Sequence, residues 1–249
     1  MIAGLLLIAS LAGNVVLLQL LKESFSKLQF SRIFPLGYSE TSPLEVSSLP
    51  VGTTIALFGD SRALLWRDMD LPAGYHLVNE GHGGETSRQL VLQLGQGMRP
   101  HTTWAVVQIG INDLHPLGVL RSQSDLIVEN LRRNLSSIVD ELLQTSDNVI
   151  VMTIIPPGHV PFWRRPLWHE ETLSYLKTTN AFISQLGSRD HVFVLDADAA
   201  LRDETFSLDH EFQDPDFFLH INRKAYELLN EEIKRLILPA VFDPAAPPQ

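Results

Sequence analysis

Short apolar runs alternate with longer amphipathic segments between residues 51 and 238 of the chain. The runs are rich in β-branched residues and almost continuously apolar, a pattern typical of parallel strands that are buried on both faces. In the segment 122–145, apolar residues recur at spacings of three and four, which gives a helix with one apolar stripe. We predict strands at 53–58, 75–79, 103–109, 148–154 and 191–196, and helices at 85–97, 122–145, 168–187 and 221–237.

The alternation of strands and helices predicts an α/β fold. Parallel strands joined through helices require right-handed crossovers, which place helices on the faces of the sheet. The expected architecture is a three-layer α/β/α sandwich around a five-stranded parallel sheet. Active sites in such sheets form at the carboxyl ends of the strands, so polar motifs that follow predicted strands are the first candidates for chemistry.

The chain begins with an apolar stretch, since residues 1–21 contain no Asp, Glu, Lys or Arg. As a helix this stretch would be roughly 30 Å long, close to the thickness of a bilayer core. A cleaved signal peptide normally has a basic start, which is absent here. We predict a single uncleaved membrane anchor at 1–21. The alternative is an apolar helix that packs onto the domain, which the polar Asn14 and Gln19 favour.

Three further segments follow from local composition. Residues 22–50 contain stretches rich in Ser, Thr and Pro, which predict a linker. The globular domain is expected at 51–238, and the Pro- and Ala-rich residues 239–249 predict a disordered tail. Basic residues just after the apolar stretch, such as Lys22 and Lys27, would place that flank in the cytosol by the positive-inside rule.

The overall composition narrows the class of partner. The chain is 45% hydrophobic and 19% charged, which is ordinary for a globular domain. Its formal net charge of -10 argues against nucleic acid as a partner, because phosphate binding needs clustered Lys and Arg. The absence of cysteine from the sequence excludes disulfides, thiolate metal sites and cysteine nucleophiles.

The segment Gly59–Arg62, with the sequence Gly-Asp-Ser-Arg, follows the first predicted strand. A sharp turn here would present the Ser61 hydroxyl at the carboxyl edge of the sheet, at a helix N-terminus that favours negative charge. Ser61 is therefore a candidate nucleophile, which would need a general base to become reactive. The alternative is that Ser61 caps the helix.

Two more polar segments follow the second and third predicted strands. Residues 79–86 (NEGHGGET) contain glycines that let the backbone approach another group and point an amide outward. Residues 110–113 (GIND) offer the Asn112 carboxamide as a donor. Backbone and side-chain amides together could form an oxyanion hole, in which one donor is worth about 3 kcal/mol. The alternative for both segments is an ordinary turn.

A candidate base, His220, lies shortly before the last predicted helix, with acids nearby in the sequence. A histidine whose tautomer is fixed by an acid would complete a nucleophilic set. His210, beside Asp209, is a second candidate, and a structural role is the alternative for either histidine. The histidines and aspartates lack the compact spacing of metal ligands, so we predict no metal site.

In their order along the chain these motifs resemble the SGNH (GDSL-type) hydrolase family. The family's blocks are Gly-Asp-Ser, an Asn…Gly loop, Gly-x-Asn-Asp and a late Asp-x-x-His. The first three match residues 59–61, 79–86 and 110–113. The resemblance covers roughly residues 53–237 and implies a flavodoxin-like fold that needs no metal or organic cofactor.

The resemblance also implies a role for each matched residue. Ser61 would be the nucleophile and His220 the general base. The oxyanion hole would consist of the Ser61 amide, the Gly84 amide and the Asn112 side chain.

Two positions depart from the family's pattern. Arg62 stands where leucine is frequent, and Phe217 stands three residues before His220, where the family has Asp. Asp216, one position earlier, is predicted to reach His220 through a one-residue bulge. Asp214 or a backbone carbonyl could orient the imidazole instead.

These assignments predict a serine esterase that acts on acyl esters of small molecules, glycans or lipids, such as an O-acetylesterase or a lysophospholipase-like enzyme. Acyl transfer by the same residues is one alternative. A non-catalytic binding module of the same fold is another, which the displaced acid favours. The family favours an extracytoplasmic location for the anchored domain. The aromatic and basic segment 156–169 is expected either to form a rim over the site or to pack as a surface loop.

Overall fold

Five strands form one sheet in the order β2-β1-β3-β4-β5. The computed structural model describes residues 2–35, 52–96, 99–169 and 171–238. All neighbouring strands in the sheet are parallel, so the predicted five-stranded parallel sheet is confirmed. The strands are β1 (Thr53–Gly59), β2 (Tyr75–Gly81), β3 (Thr102–Gln108), β4 (Ser146–Met152) and β5 (Val192–Leu195).

Helices cover both faces of this sheet, as the predicted three-layer α/β/α architecture requires. Apart from short 3-10 turns, they are α1 (Ile2–Ile33), α2 (Ser61–Leu65), α3 (Ser87–Leu94), α4 (Ile111–Leu114), α5 (Ser124–Leu142), α6 (Thr172–Leu186), α7 (Ala197–Leu201) and α8 (Arg223–Ile237).

Each face of the sheet has its own hydrophobic core, because successive strand residues point to opposite sides. In β1, Ala56 and Phe58 pack in the core formed with α3, α5 and α6. Ile55 and Leu57 pack in the core formed with α2, α7 and α8. Burial of a large side chain such as Phe58, Ile55 or Leu57 stabilises the fold by about 2 kcal/mol, so the two cores hold the sheet edge in place under the polar loops.

The strand register brings three loops to the same edge of the sheet. Gly59, the last residue of β1, pairs with Gly81 of β2 and with Gln108 of β3. The segments that follow β1, β2 and β3 therefore start side by side. These are the three segments in which the sequence places Ser61, Gly84 and Asn112.

The long elements agree with the sequence predictions to within a few residues, and α2 begins at Ser61, where the sequence places a helix N-terminus. The missed helices are α4 and α7, of four and five residues. So short a helix shows no apolar period, because it completes little more than one turn. The helix predicted at 168–187 starts only at Thr172, since a 3-10 turn and a loop precede it.

The predicted membrane anchor at 1–21 is wrong. Among the described residues, no helix is long and apolar enough to cross a membrane. This finding also overturns the predicted membrane-anchored localisation, and it does not support the predicted association with a membrane through the N-terminal helix. The apolar stretch is not a separate element, because it continues in one helix through Lys22, Glu23 and Lys27.

The same helix changes the account of the predicted linker at 22–50. Helix α1 extends through Ile33, so residues 22–33 are helical. Ile33 is 5% exposed and belongs to the core beneath α3 and α5. The rest of the predicted linker, from residue 36 onward, and the predicted tail at 239–249 lie outside the described residues.

Candidate active site

Ser61 stands on a sharp turn between β1 and α2. Gly59 has a φ of +139°, and a Cβ at this position would lie 1.8 Å from the carbonyl oxygen of Gln108. Glycine is therefore the residue that fits between the two strands. Asp60 caps the helix, since its Oδ1 accepts a hydrogen bond from the Arg62 amide at 2.9 Å. Ser61 is the first residue of α2, which leaves its hydroxyl at the sheet edge.

The His220 imidazole meets this hydroxyl. Its Nε2 lies 3.1 Å from Ser61 Oγ, within hydrogen-bonding distance. The main chain on both sides of the histidine is fixed by hydrogen bonds. On the preceding side, the His220 amide donates to the Phe217 carbonyl at 2.8 Å. Two residues later Asn222 caps α8 by accepting a hydrogen bond from the Ala225 amide. The structure thus joins Ser61 to His220, and His210 is not the partner of the serine.

The surroundings of His220 favour the neutral imidazole. Burial is the main cause that lowers its pKa below the ordinary value, and the positive charge of Arg62 lowers it further. The negative charge of Asp214 acts in the opposite direction and raises it. A neutral imidazole can accept a proton from Ser61, which is the property that a general base needs.

The structure does not bring Asp216 to the imidazole. Among the described residues, no hydrogen bond joins Asp216 to His220; the Asp216 amide instead donates to Asp214 Oδ1 at 2.8 Å. The Phe217 amide donates to the same oxygen at 3.1 Å. This turn places the Phe217 ring against the imidazole, with 4.6 Å between ring centroids. Asp214 is therefore the acid whose charge reaches His220, although it makes no side-chain hydrogen bond to the ring.

The glycine loop after β2 is fixed to the end of β1. The His82 amide donates to the Gly59 carbonyl at 2.8 Å. Gly81 packs directly on α2, since a Cβ there would lie 2.4 Å from the Leu64 nitrogen. Gly84 has a φ of +71°, a conformation that suits glycine. The loop therefore runs beside the helix that carries Ser61.

The Asn112 carboxamide reaches this loop from the end of β3. Its Nδ2 donates to the Glu85 carbonyl at 3.1 Å, which leaves its second N–H for another acceptor. Asp113 braces the loop from the other side, because Ser87 donates to its carboxylate through both its amide and its hydroxyl, at 2.9 and 2.6 Å. Burial raises the pKa of Asp113 to about 7, partly offset by these hydrogen bonds.

Two arginines bear on the site in ways that no sequence motif indicates. Arg32, at the end of α1, donates to the Gly84 carbonyl, and the Arg32 carbonyl accepts from the Thr86 hydroxyl at 3.0 Å. Arg62 points into the protein and binds backbone carbonyls next to His220. Nothing in the sequence identifies these carbonyl acceptors, because any residue type can supply them.

The aromatic segment after β4 divides into a packed part and an exposed part. The Trp168 ring packs against Phe218 and His115, at 5.9 and 6.3 Å between centroids. Phe162 and Trp163 are 74% and 65% exposed and contact each other edge to face. Trp168 therefore packs onto the domain, as the surface-loop alternative expects. Phe162 and Trp163 are exposed, and a rim over the site stays a prediction.

Within the described ranges, no group of three or more His, Cys, Asp or Glu could hold a metal ion. The site consists of a serine, a histidine, amide donors and buried carboxylates. Such a set can activate a hydroxyl and stabilise negative charge on an oxygen.

Comparison with known proteins gives a family match. The model of the GDSL-like lipase/acylhydrolase family matches residues 52–228. No curated protein matches the chain in sequence.

Solved structures share the fold. A GDSL-like lipase from Bacteroides thetaiotaomicron is 16% identical, with a TM-score of 0.60 over 88% of this chain and 98% of that chain. Acetylxylan esterase Axe2 from Geobacillus stearothermophilus is 17% identical, with a TM-score of 0.55 over 76% and 97%. Est24, a carbohydrate acetylesterase from Sinorhizobium meliloti, is 15% identical, with a TM-score of 0.57 over 76% and 100%.

Proposed function

This chain belongs to the GDSL-like lipase/acylhydrolase family, and from that membership we propose a serine mechanism in which Ser61 and His220 cleave an acyl ester. The family match confirms the resemblance to SGNH hydrolases and identifies the chain as a carboxylic ester hydrolase. The observation that carries the mechanistic proposal is the distance of 3.1 Å between His220 Nε2 and Ser61 Oγ. In this geometry the imidazole nitrogen is within hydrogen-bonding distance of the hydroxyl whose proton it must remove.

The proposed reaction has two stages. As Ser61 Oγ attacks the ester carbonyl, His220 takes the hydroxyl proton and then gives it to the departing alcohol. This leaves an acyl-serine. Water then attacks the acyl group while His220 takes one of its protons, and the acid leaves as Ser61 regains a proton from the imidazole.

Negative charge forms on the carbonyl oxygen in both stages. We assign its stabilisation to the Ser61 amide, the Gly84 amide and the free N–H of the Asn112 carboxamide. The hydrogen bond from Asn112 to the Glu85 carbonyl supports this assignment, because it fixes the plane of the carboxamide next to the glycine loop. Such donors accelerate acyl transfer because they are in place before charge develops.

We propose short acyl esters of carbohydrates as the substrate class. The support comes from the similarity in fold to an acetylxylan esterase and a carbohydrate acetylesterase. Phe162 and Trp163, which are exposed in the connection between β4 and α6, agree with this class, since flat aromatic faces suit sugar rings.

The proposal is tested with p-nitrophenyl esters of increasing acyl length. Ser61→Ala should lower kcat for the acetyl ester by at least about 1000-fold, because the nucleophile is lost. The melting temperature should stay near that of the wild type, since the serine side chain lies at the surface edge of the sheet. His220→Asn should show a loss of similar size.

Matched substitutions act as controls for these variants. Ser188→Ala and His210→Asn replace an exposed serine and an exposed histidine that the proposed mechanism does not use, and both should retain wild-type kcat. Full activity in the Ser61→Ala protein would rule out Ser61 as the nucleophile. Activity that rises with acyl length beyond the acetyl ester would exclude the short-acyl substrate class while leaving the mechanism intact.

A further inference from the structure

Arg62 is a fully buried arginine next to the proposed nucleophile. It is 1% exposed and ranks among the largest fully buried side chains of the protein. A guanidinium is seldom buried unless each of its donors is satisfied, because removal of its charge from water is costly. The acceptors that this side chain finds therefore show what it holds together.

The acceptors are backbone carbonyls from two separate loops. Arg62 Nε donates to the carbonyl of Leu219 at 2.6 Å. Nη1 donates to the carbonyl of Ile155 at 2.6 Å, and Nη2 donates to that of Pro156 at 3.1 Å. Leu219 immediately precedes His220, while Ile155 and Pro156 follow β4. One side chain thus joins three segments: the turn that carries Ser61 (the serine turn), the loop before α8 that carries His220 (the histidine loop), and the residues that follow β4.

A second contact supports the same arrangement. The Gly158 amide donates to the Phe218 carbonyl at 2.7 Å, so the loop after β4 is also joined directly to the histidine loop. On the opposite side, the Tyr226 hydroxyl donates to the Arg62 carbonyl at 2.8 Å and anchors the arginine backbone to α8. The guanidinium is consequently held between rigid elements, and its hydrogen bonds fix the main chain that leads into His220.

We propose that Arg62 is a positioning residue for His220, which takes over the orienting role of the acid that is missing three residues before the histidine. The carboxylate of the family's Asp-x-x-His block would orient the imidazole from the ring side. Here Phe217 occupies that position, and Arg62 fixes the ring from the backbone side through the Leu219 carbonyl. The proposal rests on the proposed function, since it assigns His220 the role of general base.

Arg62 also acts on His220 through its charge. The positive charge disfavours the imidazolium, so it lowers the pKa of His220 and keeps the base in its reactive form at lower pH. Asp214, in the loop before the histidine, is the charge that acts in the opposite direction. Burial lowers the pKa of the Arg62 guanidinium itself, and Asp60 and Tyr226, which face it, act in the opposite direction. Loss of Arg62 would therefore shift the acidic limb of the pH–rate profile to higher pH.

The test compares Arg62→Met with a matched control. Methionine keeps an unbranched stem but provides no donors, so the three carbonyls lose their partner. Arg99→Met removes another largely buried arginine, which binds the Gln93 carbonyl and Glu80 away from the serine. Each variant is assayed with p-nitrophenyl acetate, and kcat is expressed per site that reacts with a fluorophosphonate. Arg62→Lys provides a second variant, because lysine presents a single donor group in place of the planar fork.

We expect Arg62→Met to lower kcat about 100-fold, with KM changed by less than about threefold, because a misplaced base costs rate more than substrate binding. Its acidic limb should move to higher pH. Arg62→Lys should lower kcat about 10-fold. Arg99→Met should lower the melting temperature while kcat per reactive site and the pH limb stay as in the wild type.

An arginine with a purely structural role predicts a different pattern. Arg62→Met would then behave like Arg99→Met, with an unchanged acidic limb and kcat per site, and this result would overturn the proposal. If the Arg62→Met protein does not fold, the Arg62→Lys variant tests the proposal instead. A wild-type kcat per reactive site in this variant would overturn the proposal. A lower kcat with an unchanged KM would support it.

A readout that needs no activity separates this proposal from the proposed function. The titration of the His220 ring proton is followed by NMR and assigned by comparison with His220→Asn. A higher pKa in Arg62→Met than in the wild type supports the role of Arg62 even if no ester is cleaved. An unchanged pKa contradicts it even if the wild type is an active esterase.

Discussion

Two charges of opposite sign act on the His220 imidazole. Arg62 lowers the pKa of the ring, and Asp214 raises it. In a triad the acid stabilises the imidazolium that forms as the serine attacks. Asp214 can supply part of this stabilisation through space, although its Oδ1 is bound to the amides of Asp216 and Phe217. Substitution of Asp214 and of Asp216 therefore shows which aspartate stabilises the protonated histidine.

Asp214→Asn should lower the pKa of His220, because a negative charge that favours the imidazolium is removed. The acidic limb of the pH–rate profile should move to lower pH, and kcat should fall about 3- to 10-fold. Asparagine keeps the Oδ1 acceptor, so the turn stays intact. The measurement is kcat and kcat/KM for p-nitrophenyl acetate as a function of pH.

Asp216→Asn is the comparison, and it should change kcat by less than about twofold, since its side chain has no hydrogen bond to His220 among the described residues. A larger loss in Asp216→Asn than in Asp214→Asn would identify Asp216 as the orienting acid, as the sequence alone predicts.

The sequence predicts Ser61 and His220 because their chemistry is visible in short motifs. It also predicts Asn112, since a carboxamide after a buried strand is an evident donor. The role of Arg62 could not be predicted in the same way. Its acceptors are main-chain carbonyls that lie 157, 93 and 94 positions away in the sequence. Every residue type has a main-chain carbonyl, so the sequence does not show which ones accept these hydrogen bonds.

At the scale of elements, the end of helix α1 belongs to the proposed site. Arg32 donates to the Gly84 carbonyl, and its own carbonyl accepts from Thr86 at the start of α3. Ile33, the next residue, is buried in the core. The last turn of α1 thus holds the glycine loop from outside.

Arg32→Ala should loosen this loop and weaken its contribution to the oxyanion hole. We expect kcat for p-nitrophenyl acetate to fall about 10-fold, which corresponds to partial loss of one donor. Lys27→Ala on the same helix is the control, because Lys27 is exposed and pairs only with Glu23 among the described residues. Equal kcat in both variants would show that α1 has no influence on the site.

The sequence pattern could not show this contact between α1 and the loop. The apolar composition of residues 1–21 suggests a membrane anchor. The contact depends instead on Arg32, which lies in the last turn of α1. Short helices such as α4 and α7 were missed for a related reason, since they are defined by caps and tight turns and not by an apolar period.

At the scale of the whole molecule, the strand order explains why scattered motifs form one site. In the order β2-β1-β3, the strands that precede Gly84 and Asn112 lie on either side of the strand that precedes Ser61. The alternation of strands and helices was sufficient to predict a five-stranded parallel sheet, because right-handed crossovers leave few alternatives. The order of the strands was not predicted. The approach of the histidine loop was less predictable, since it depends on Arg62 and on the docking of α8.

Covalent labelling by a fluorophosphonate tests whether Ser61 is an activated nucleophile with His220 as its base. Attack by Ser61 Oγ on phosphorus expels fluoride and leaves a stable phosphonyl-serine, which mass spectrometry of peptides locates. We expect rapid labelling of the wild type at Ser61, no labelling of Ser61→Ala, and labelling slowed at least about 100-fold in His220→Asn. A wild-type protein that remains unlabelled, or a His220→Asn protein that labels at the wild-type rate, would contradict this assignment.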